Sequence, residues 1–232
     1  MSVFASAENR RSDILPIVVL ASGRGSNLQA LIDARDAGLL PVEIRGVLSD
    51  KPKCHALQRA LDAGIPTLAL SARDYADRAS FDRDFFARVA EFSPRLIVLA
   101  GFMRILVPAV VSAFAGRMIN IHPSLLPKYP GLHTHQRALN AGDETHGSSV
   151  HIVTPTLDAG PVIAQVQITI QADDNAETLA ARLLPLEHRL LCKCIALIAN
   201  GRLQLAADDW RFDDQALDAP LQLGVDGQLA PR

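Results

Sequence analysis

Cysteine, net charge and long apolar runs are all scarce in this chain of 232 residues. The three cysteines cannot all pair, and Cys192-Lys-Cys194 lacks the second cysteine pair of a structural zinc site. A reduced, cytoplasmic protein is therefore expected. The formal net charge of -2 gives no electrostatic case for nucleic-acid binding. No apolar run approaches the length of about 20 residues that spans a bilayer, so no membrane partner is expected.

Alternating strands and helices dominate the first 100 residues. Apolar residues make up 49% of the chain, which is enough for a large core. Four apolar runs read as strands, at 14–20, 42–48, 67–70 and 96–100. Three segments between them have helical spacing, at 27–37, 54–63 and 80–92. This order predicts a parallel sheet with right-handed crossovers, which is a Rossmann-like α/β arrangement.

The regular alternation of strands and helices ends in the second half of the chain. Further strands are predicted at 118–121, 148–153 and 162–170, followed by a long helix at 175–198 that contains Pro185. We predict one domain with two lobes and a mostly parallel central sheet flanked by helices. It covers residues 14–207, with an N-terminal half at about 14–113 and a C-terminal half at about 114–207. Residues 1–13 read as a flexible extension, and residues 208–232 as a polar tail with irregular or hairpin structure.

A glycine loop, Gly23-Arg-Gly25-Ser-Asn27, joins the first strand to the first helix. Glycines let the backbone approach a ligand, and the free amides at a helix start favour an anion. A dinucleotide fingerprint would need a third glycine where Leu28 stands, so one phosphate fits better than a pyrophosphate. The alternative is a plain tight turn without a ligand.

Polar residues also follow two later strands, and adjacent strands of one sheet would bring both strand ends to the same edge. Asn120 and His122 alternate, so both side chains leave one face of their strand, and together they could donate hydrogen bonds to an oxygen that gains negative charge. Asp158 precedes Ala-Gly-Pro and could orient His122 and favour its protonated form. The alternatives are a structural histidine and a turn-forming aspartate. His133-Thr-His135 lacks a third ligand, so no metal is expected.

Five collinear stretches carry a family resemblance. They are Ser22-Gly-Arg-Gly-Ser-Asn-Leu-Gln29, Leu99-Ala-Gly-Phe-Met-Arg-Ile-Leu106, Asn120-Ile-His-Pro-Ser-Leu-Leu-Pro-Lys-Tyr-Pro-Gly-Leu-His-Thr-His135, His146-Gly-Ser-Ser-Val-His151 and Leu157-Asp-Ala-Gly-Pro-Val162. They resemble the phosphoribosylglycinamide formyltransferases, a branch of the folate-dependent formyltransferases, from about Ile17 to Leu205. The resemblance implies a Rossmann-like formyltransferase fold whose N-terminal half binds phosphate and whose C-terminal half binds folate.

The resemblance also implies an activity and its site residues. The formyl group of 10-formyltetrahydrofolate would pass directly to the amine of glycinamide ribonucleotide in purine synthesis, without a metal or a covalent enzyme intermediate. Asn120, His122 and Asp158 would be the catalytic trio. The substrate would be bound by Gly25, Ser26 and Asn27 at its phosphate, and by Leu184, Pro185, Leu186 and Glu187 at its ribose or glycinamide end. The folate would be bound by Arg78, Met103, Arg104, Ile105, Leu106, Asn120, Thr154, Pro155, Thr156, Leu157 and Asp158.

Other implications concern the partners and one peptide bond. The expected partners are these two small molecules, and both a monomer and a homodimer are compatible with the resemblance. A cis Leu126-Pro127 peptide is also predicted.

Two related enzymes share the catalytic trio of Asn120, His122 and Asp158. A methionyl-tRNA formyltransferase should have a further C-terminal domain and a basic surface, and a formyltetrahydrofolate hydrolase should have an N-terminal regulatory domain. A non-enzymatic nucleotide-binding module is the third alternative.

Overall fold

A computed structural model describes residues 14–205 and 210–231, and it consists of two sheets and six α-helices in those ranges. The large sheet contains β1 (Leu15–Leu20), β2 (Val42–Ser49), β3 (Thr67–Ala69), β4 (Leu96–Leu99), β5 (Met118–His122), β6 (Thr145–Ile152), β7 (Val162–Thr169), β11 (Leu221–Leu223) and β12 (Leu229–Ala230). The small sheet contains β8 (Leu203–Leu205), β9 (Trp210–Phe212) and β10 (Gln215–Ala216). The helices are α1 (Ser26–Asp36), α2 (His55–Asp62), α3 (Arg78–Glu91), α4 (Pro108–Ala113), α5 (Thr134–Asn140) and α6 (Ala176–Ala199).

The large sheet has the order β12-β11-β7-β6-β5-β4-β1-β2-β3. Strands β1 to β5 pair in parallel, which confirms the α/β class and the mostly parallel sheet. All six residues of β1 are buried, as expected of a strand covered on both faces. Alternate residues of β1 serve different cores: Ile17 packs with α1, α2 and α6, whereas Val18 packs with α3 and α4.

The direction of pairing reverses beyond β5. Strand β6 is antiparallel to both β5 and β7. Its register places His151 opposite Asn120 and Ser149 opposite His122. Opposed residues of an antiparallel pair are close neighbours, so this register determines which side chains surround the end of β5.

Several elements were not predicted from the sequence. Helices α4 and α5 have only six and seven residues, too few to display a clear helical period. Helix α6 continues through Pro185 without a break, although that proline leaves the Ala181 carbonyl without its usual amide partner. The predicted cis peptide at Leu126-Pro127 is confirmed.

The C-terminal residues belong to the sheets. Residues predicted as a polar tail form β9 to β12, and Leu221 of β11 is fully buried beside β7. Strand β9 pairs with β10, and β11 with β12, as antiparallel hairpins, which were among the structures expected there, whereas the pairing of β11 with β7 was not predicted. The predicted flexible extension at residues 1–13 lies outside the described residues.

Candidate active site

The glycine loop is shaped by close contact with α2. Gly25 lies at the start of α1 with a φ of 72°. A Cβ atom at this position would lie 2.7 Å from both the Cα and the Cβ of Ala56. Glycine is therefore required for two reasons, the left-handed backbone and the close approach of α2. Ser26 and Asn27 form the first turn of α1, where backbone amides lack partners within the helix and point towards any bound anion.

Asn120 is held by a histidine that the sequence did not single out. Its Nδ2 atom lies 3.0 Å from Nε2 of His151. Because His151 Nδ1 lies 2.9 Å from the Ile152 carbonyl and donates to it, Nε2 is the acceptor for the Asn120 amide. One N–H of Asn120 is thus used to fix the carboxamide, and the second remains for a ligand.

The ring of His122 is buried at the end of β5, with an exposure of 5%. Its Nε2 lies 2.9 Å from the Tyr129 carbonyl, and its Nδ1 lies 3.5 Å from Asp158 Oδ2. Burial lowers the pKa of His122 below its usual value, although the Tyr129 carbonyl and the Asp158 carboxylate act in the opposite direction. Asp158 thus favours the protonated ring, as expected, but burial outweighs its effect, and the ring is mostly neutral at pH 7.

Asp158 bridges two histidines and one backbone amide. Besides His122, its Oδ1 lies 3.6 Å from His151 Nε2, and its Oδ2 accepts a hydrogen bond of 2.8 Å from the Gly131 amide. Burial alone would raise the pKa of Asp158, but the hydrogen bond from the Gly131 amide and the nearby His122 act in the opposite direction, and the pKa is lowered. The carboxylate is thus ionised at neutral pH. We call Asn120, His122, His151 and Asp158 the polar cluster.

Asp158 reaches His122 by a route that differs from the expected one. The sequence suggested that both residues follow strands ending at the same edge of the sheet. Because β6 is antiparallel to β5, however, β6 ends beside Ile119 and not beside His122. The loop after β6 must therefore run back along β5. Asp158 has a φ of 50°, and a Cβ on Gly160 would lie 1.8 Å from the Ile152 carbonyl oxygen, so this return is tight.

Two adjoining cavities open beside the polar cluster. The larger has a volume of about 410 Å³ and is bounded by Asn120, His122 and Asp158 together with residues 101–105 and 131–135. The smaller, of about 80 Å³, extends from Asn120 and His151 towards Leu99, Val111 and Val153. Apolar side chains exposed to 46–65% surround the larger opening: Met103, Ile105, Leu132 and Leu157.

Most of the predicted folate-binding residues line these cavities. The lining set comprises Met103, Arg104, Ile105, Leu106, Asn120, Thr154, Pro155, Leu157 and Asp158. Two predicted members do not line them. Arg78 is exposed at the start of α3, and the Thr156 carbonyl accepts a hydrogen bond from Thr154. The lining also includes Gly131 and Leu132, which were not among the predicted folate-binding residues.

Glu187 lies on α6, outside the lining of both cavities. It is 8% exposed and lies next to Ser148, whose hydroxyl donates to the His122 carbonyl at 2.8 Å. Burial raises the pKa of Glu187 to about 7. Its neighbours Leu184 and Leu186 are half-buried and Pro185 is exposed, and none of the three lines either cavity.

His135, in the wall of the larger cavity, packs against a second histidine, His146. His135 Nδ1 lies 2.9 Å from His146 Nε2, and His146 is 1% exposed. Burial lowers the pKa of both rings, that of His146 to about 4, so the pair is neutral at pH 7. Within residues 14–205 and 210–231, no group of three or more histidine, cysteine or acidic residues is arranged to hold a metal. No helix in those ranges combines the length and apolar character that a membrane crossing requires.

The comparisons with known proteins identify the family. Residues 15–195 match the formyl transferase family model, and the chain belongs to this family. It is 48% identical to phosphoribosylglycinamide formyltransferase of Escherichia coli K12 over 201 residues, which cover 87% of this chain and 95% of the relative. It is 40% identical to human trifunctional purine biosynthetic protein adenosine-3 over 189 residues, which are only 19% of that protein.

Solved structures give the same result. A Coxiella burnetii phosphoribosylglycinamide formyltransferase superposes with a TM-score of 0.84 at 48% identity, covering 88% of this chain and 95% of its own. Glycinamide ribonucleotide transformylase 1 of Symbiobacterium toebii also gives 0.84, at 37% identity, covering 90% and 100%. The family predicted from the sequence motifs is thereby confirmed, and the chain is a formyltransferase.

Proposed function

We propose that this chain transfers the formyl group of 10-formyltetrahydrofolate to the amine of glycinamide ribonucleotide, a step of purine synthesis. The names of its relatives in Escherichia coli and Coxiella burnetii, both 48% identical, support this substrate. The observation that carries the proposal is the polar cluster at the wall of an apolar cavity. A cavity of about 410 Å³ suits a small organic molecule, and the cluster supplies the groups that acyl transfer requires.

The two substrates would approach the cluster from different sides. The phosphate of glycinamide ribonucleotide would bind the amides at the start of α1, next to Gly25. Glu187 would contact the ribose or the glycinamide end. It lies next to Ser148, and the Ser148 hydroxyl donates to the His122 carbonyl. The folate would occupy the cavities between residues 103–106 and 154–158, with its formyl group beside Asn120.

The chemistry follows from charge development. The substrate amine attacks the formyl carbon, and the formyl oxygen gains negative charge in the tetrahedral intermediate. The free N–H of Asn120 would donate to that oxygen, and the hydrogen bond from Asn120 to His151 would keep the amide oriented. The amine then loses a proton, the folate nitrogen gains one, and the carbon–nitrogen bond to the folate breaks.

His122 requires one rearrangement to take part. Both of its ring nitrogens face protein oxygens, Nε2 the Tyr129 carbonyl and Nδ1 the Asp158 carboxylate. We expect Nε2 to exchange the Tyr129 carbonyl for the formyl oxygen when substrates bind. The negative oxygen would raise the pKa of the ring, so that His122 becomes charged as the intermediate forms and Asp158 stabilises that charge.

The decisive test is a product balance with purified protein and both substrates. Formyl glycinamide ribonucleotide and tetrahydrofolate should appear in equal amounts, with no free formate. Glycinamide riboside, which lacks the phosphate, should react poorly because the glycine loop would have no anion to bind. Free formate without a formylated amine would indicate a hydrolase and would contradict the proposal. Saturable phosphate binding with no turnover would indicate a binding module.

A further inference from the structure

Segment 101–107 forms the wall that the two cavities share, and two side chains outside the cavities hold it. We propose that Ser22 and Asp82 are positioning residues that keep this segment in the shape that binds the folate. The inference rests on the proposed function, since it assumes that a folate occupies the cavities. Met103 and Ile105, exposed to 62% and 50%, present their side chains from this segment to the larger cavity.

Asp82 secures the far end of the segment. It lies on α3 with an exposure of 0%, next to Phe81 and in the core that contains Phe85. Its Oδ2 accepts a hydrogen bond of 2.9 Å from the Val107 amide, and its Oδ1 lies 3.4 Å from Nη2 of Arg104. Both partners of this buried carboxylate therefore belong to the wall segment.

The cost of burying Asp82 indicates a role beyond stability. A buried ion pair seldom stabilises a protein more than well-packed apolar residues of similar volume would. An apolar side chain at position 82 would fit this phenylalanine-rich core, but it would leave the Val107 amide and Arg104 without a partner. What the carboxylate provides is a fixed distance between α3 and the wall.

Arg104 is directed towards the protein. Its guanidinium group lies 4.1 Å from the centre of the Phe81 ring and next to Asp82, and its side chain is only 16% exposed. An aromatic face on one side and a carboxylate on the other fix the direction of this side chain. Arg104 is thus held as part of the wall, beside Met103 and Ile105, which present their side chains to the larger cavity.

Ser22 secures the near end of the segment. It is 5% exposed, and its amide donates to the Gly101 carbonyl at 3.0 Å. Its hydroxyl accepts from the Met103 amide at 2.9 Å and donates to Asp50 at 2.5 Å. Ser22 is also the residue before the glycine loop. A change at Ser22 should therefore affect both substrates, whereas a change at Asp82 should affect only the folate.

This difference defines the experiment. Asp82→Asn keeps an oxygen for the Val107 amide but removes the charge that faces Arg104. We expect the KM for 10-formyltetrahydrofolate to rise about tenfold, in line with loss of a charged hydrogen bond, and the KM for glycinamide ribonucleotide to stay within about twofold. Ser22→Ala should raise both KM values severalfold, and Ser22→Thr, which keeps the hydroxyl, should restore them. Matched controls are Asp84→Asn on the same helix and Ser112→Ala on α4.

Two further measurements separate positioning from simple destabilisation. The affinity for tetrahydrofolate, measured by calorimetry, should fall in Asp82→Asn in parallel with the rise in KM, at a temperature well below the melting point. A variant with a lower melting temperature but wild-type folate KM and tetrahydrofolate affinity would overturn the inference. If Asp82→Asn does not fold, Asp82→Glu keeps the charge but changes its distance from Arg104 and the Val107 amide, and it should raise the folate KM alone.

The failure of this inference is distinguishable from the failure of the proposed function. If the wild-type protein makes formyl glycinamide ribonucleotide and the variants keep its folate KM, only the positioning role is overturned. If the wild-type protein makes no formylated product and does not bind tetrahydrofolate, both are overturned.

Discussion

The glycine loop and the polar cluster would each stabilise a negative charge, but they do so with different parts of the protein. The loop uses backbone amides within one turn of α1, and its critical side chain is the hydrogen atom of Gly25, which fits against Ala56. The polar cluster uses four side chains from β5, β6 and the loop after β6, and each is held by another. A backbone site can be recognised in a short run of sequence, whereas a side-chain site exists only after distant strands have paired.

The largest expected effect tests whether the cluster acts as a unit. Asp158→Asn and His122→Asn should each reduce kcat on the order of 10²–10⁴-fold, and the double variant should be little worse than either. The physical reason is the contact of 3.5 Å between His122 Nδ1 and Asp158 Oδ2. The measurement is a double-mutant cycle on kcat/KM. Fully additive losses would mean that His122 and Asp158 work independently and that the polar cluster does not act as a unit.

Asn120 should show the next largest effect. Its amide matters most when the formyl oxygen carries charge, so Asn120→Ala should lower kcat by about 10²–10³-fold, corresponding to about 2.7–4 kcal/mol in the barrier. The KM values for both substrates should change little. Steady-state kinetics with Asn140→Ala, on the surface of α5, as the control would check this. A rise in KM with unchanged kcat would make Asn120 a binding residue.

The loop is tested by a pair of neighbouring glycines. Gly25→Ala should raise the KM for glycinamide ribonucleotide roughly 10–100-fold, because the added methyl group would displace α1 or α2 and misplace the amides. Gly23→Ala is the matched control, since a Cβ there would meet no atom within 4 Å. Equal effects of the two substitutions would contradict a shape-based cradle.

The number of phosphates in the loop can be determined directly. With Leu28 in place of a third glycine, we predict that one phosphate binds at Gly25 to Asn27. A structure with bound glycinamide ribonucleotide should show a single phosphate on these amides. A phosphate bound elsewhere, with the loop empty, would show that the loop does not bind the substrate phosphate.

Glu187, on α6, is expected to bind the same substrate as the loop, and its ionisation should be visible in that binding. Burial raises the pKa of this carboxyl to about 7, so it is only partly ionised at neutral pH in the empty protein. If the carboxylate receives hydrogen bonds from the substrate, the KM for glycinamide ribonucleotide should fall as the pH rises from 6 to 8, by severalfold. Glu187→Gln should raise that KM and flatten its pH profile. A profile unchanged by the substitution would assign the titration to another group.

The smallest expected effect is on the free energy of unfolding and concerns His146, which packs against His135. The pKa of His146 is lowered to about 4 in the folded chain, against about 6.5 in an unfolded one. The unfolded state therefore binds more protons between these values, and stability is lost as the pH falls from 6.5 towards 4. Denaturant unfolding at pH 7.5 and pH 5 should show a loss that His146→Gln reduces by about 1–3 kcal/mol. The matched control substitution is His55→Gln, at an exposed position at the start of α2.

The same contrast explains which parts of the molecule could be predicted. The buried strands β1 and β4 are continuous apolar runs, so their positions follow from local sequence. His151 could not be chosen from among seven histidines, since its importance depends on facing Asn120 across β5 and β6. The neutral state of His122 was likewise beyond the sequence, because it depends on how deeply the ring is buried. Family resemblance correctly predicted that Asp158 lies near His122, whereas the reason inferred from strand ends was wrong.

The short strand β11 has a consequence for the solubility of shortened chains. Strand β11 pairs in parallel with β7 at Leu221 and Gln222, and Leu221 is fully buried. A chain that stopped at residue 207 would leave the amides and carbonyls of β7 unpaired along an apolar edge. Such edges recruit strands from other molecules, so the shortened chain should self-associate even if every residue of the polar cluster kept its place. Strand β11 thus occupies the edge of β7 that a strand from another molecule could otherwise pair with.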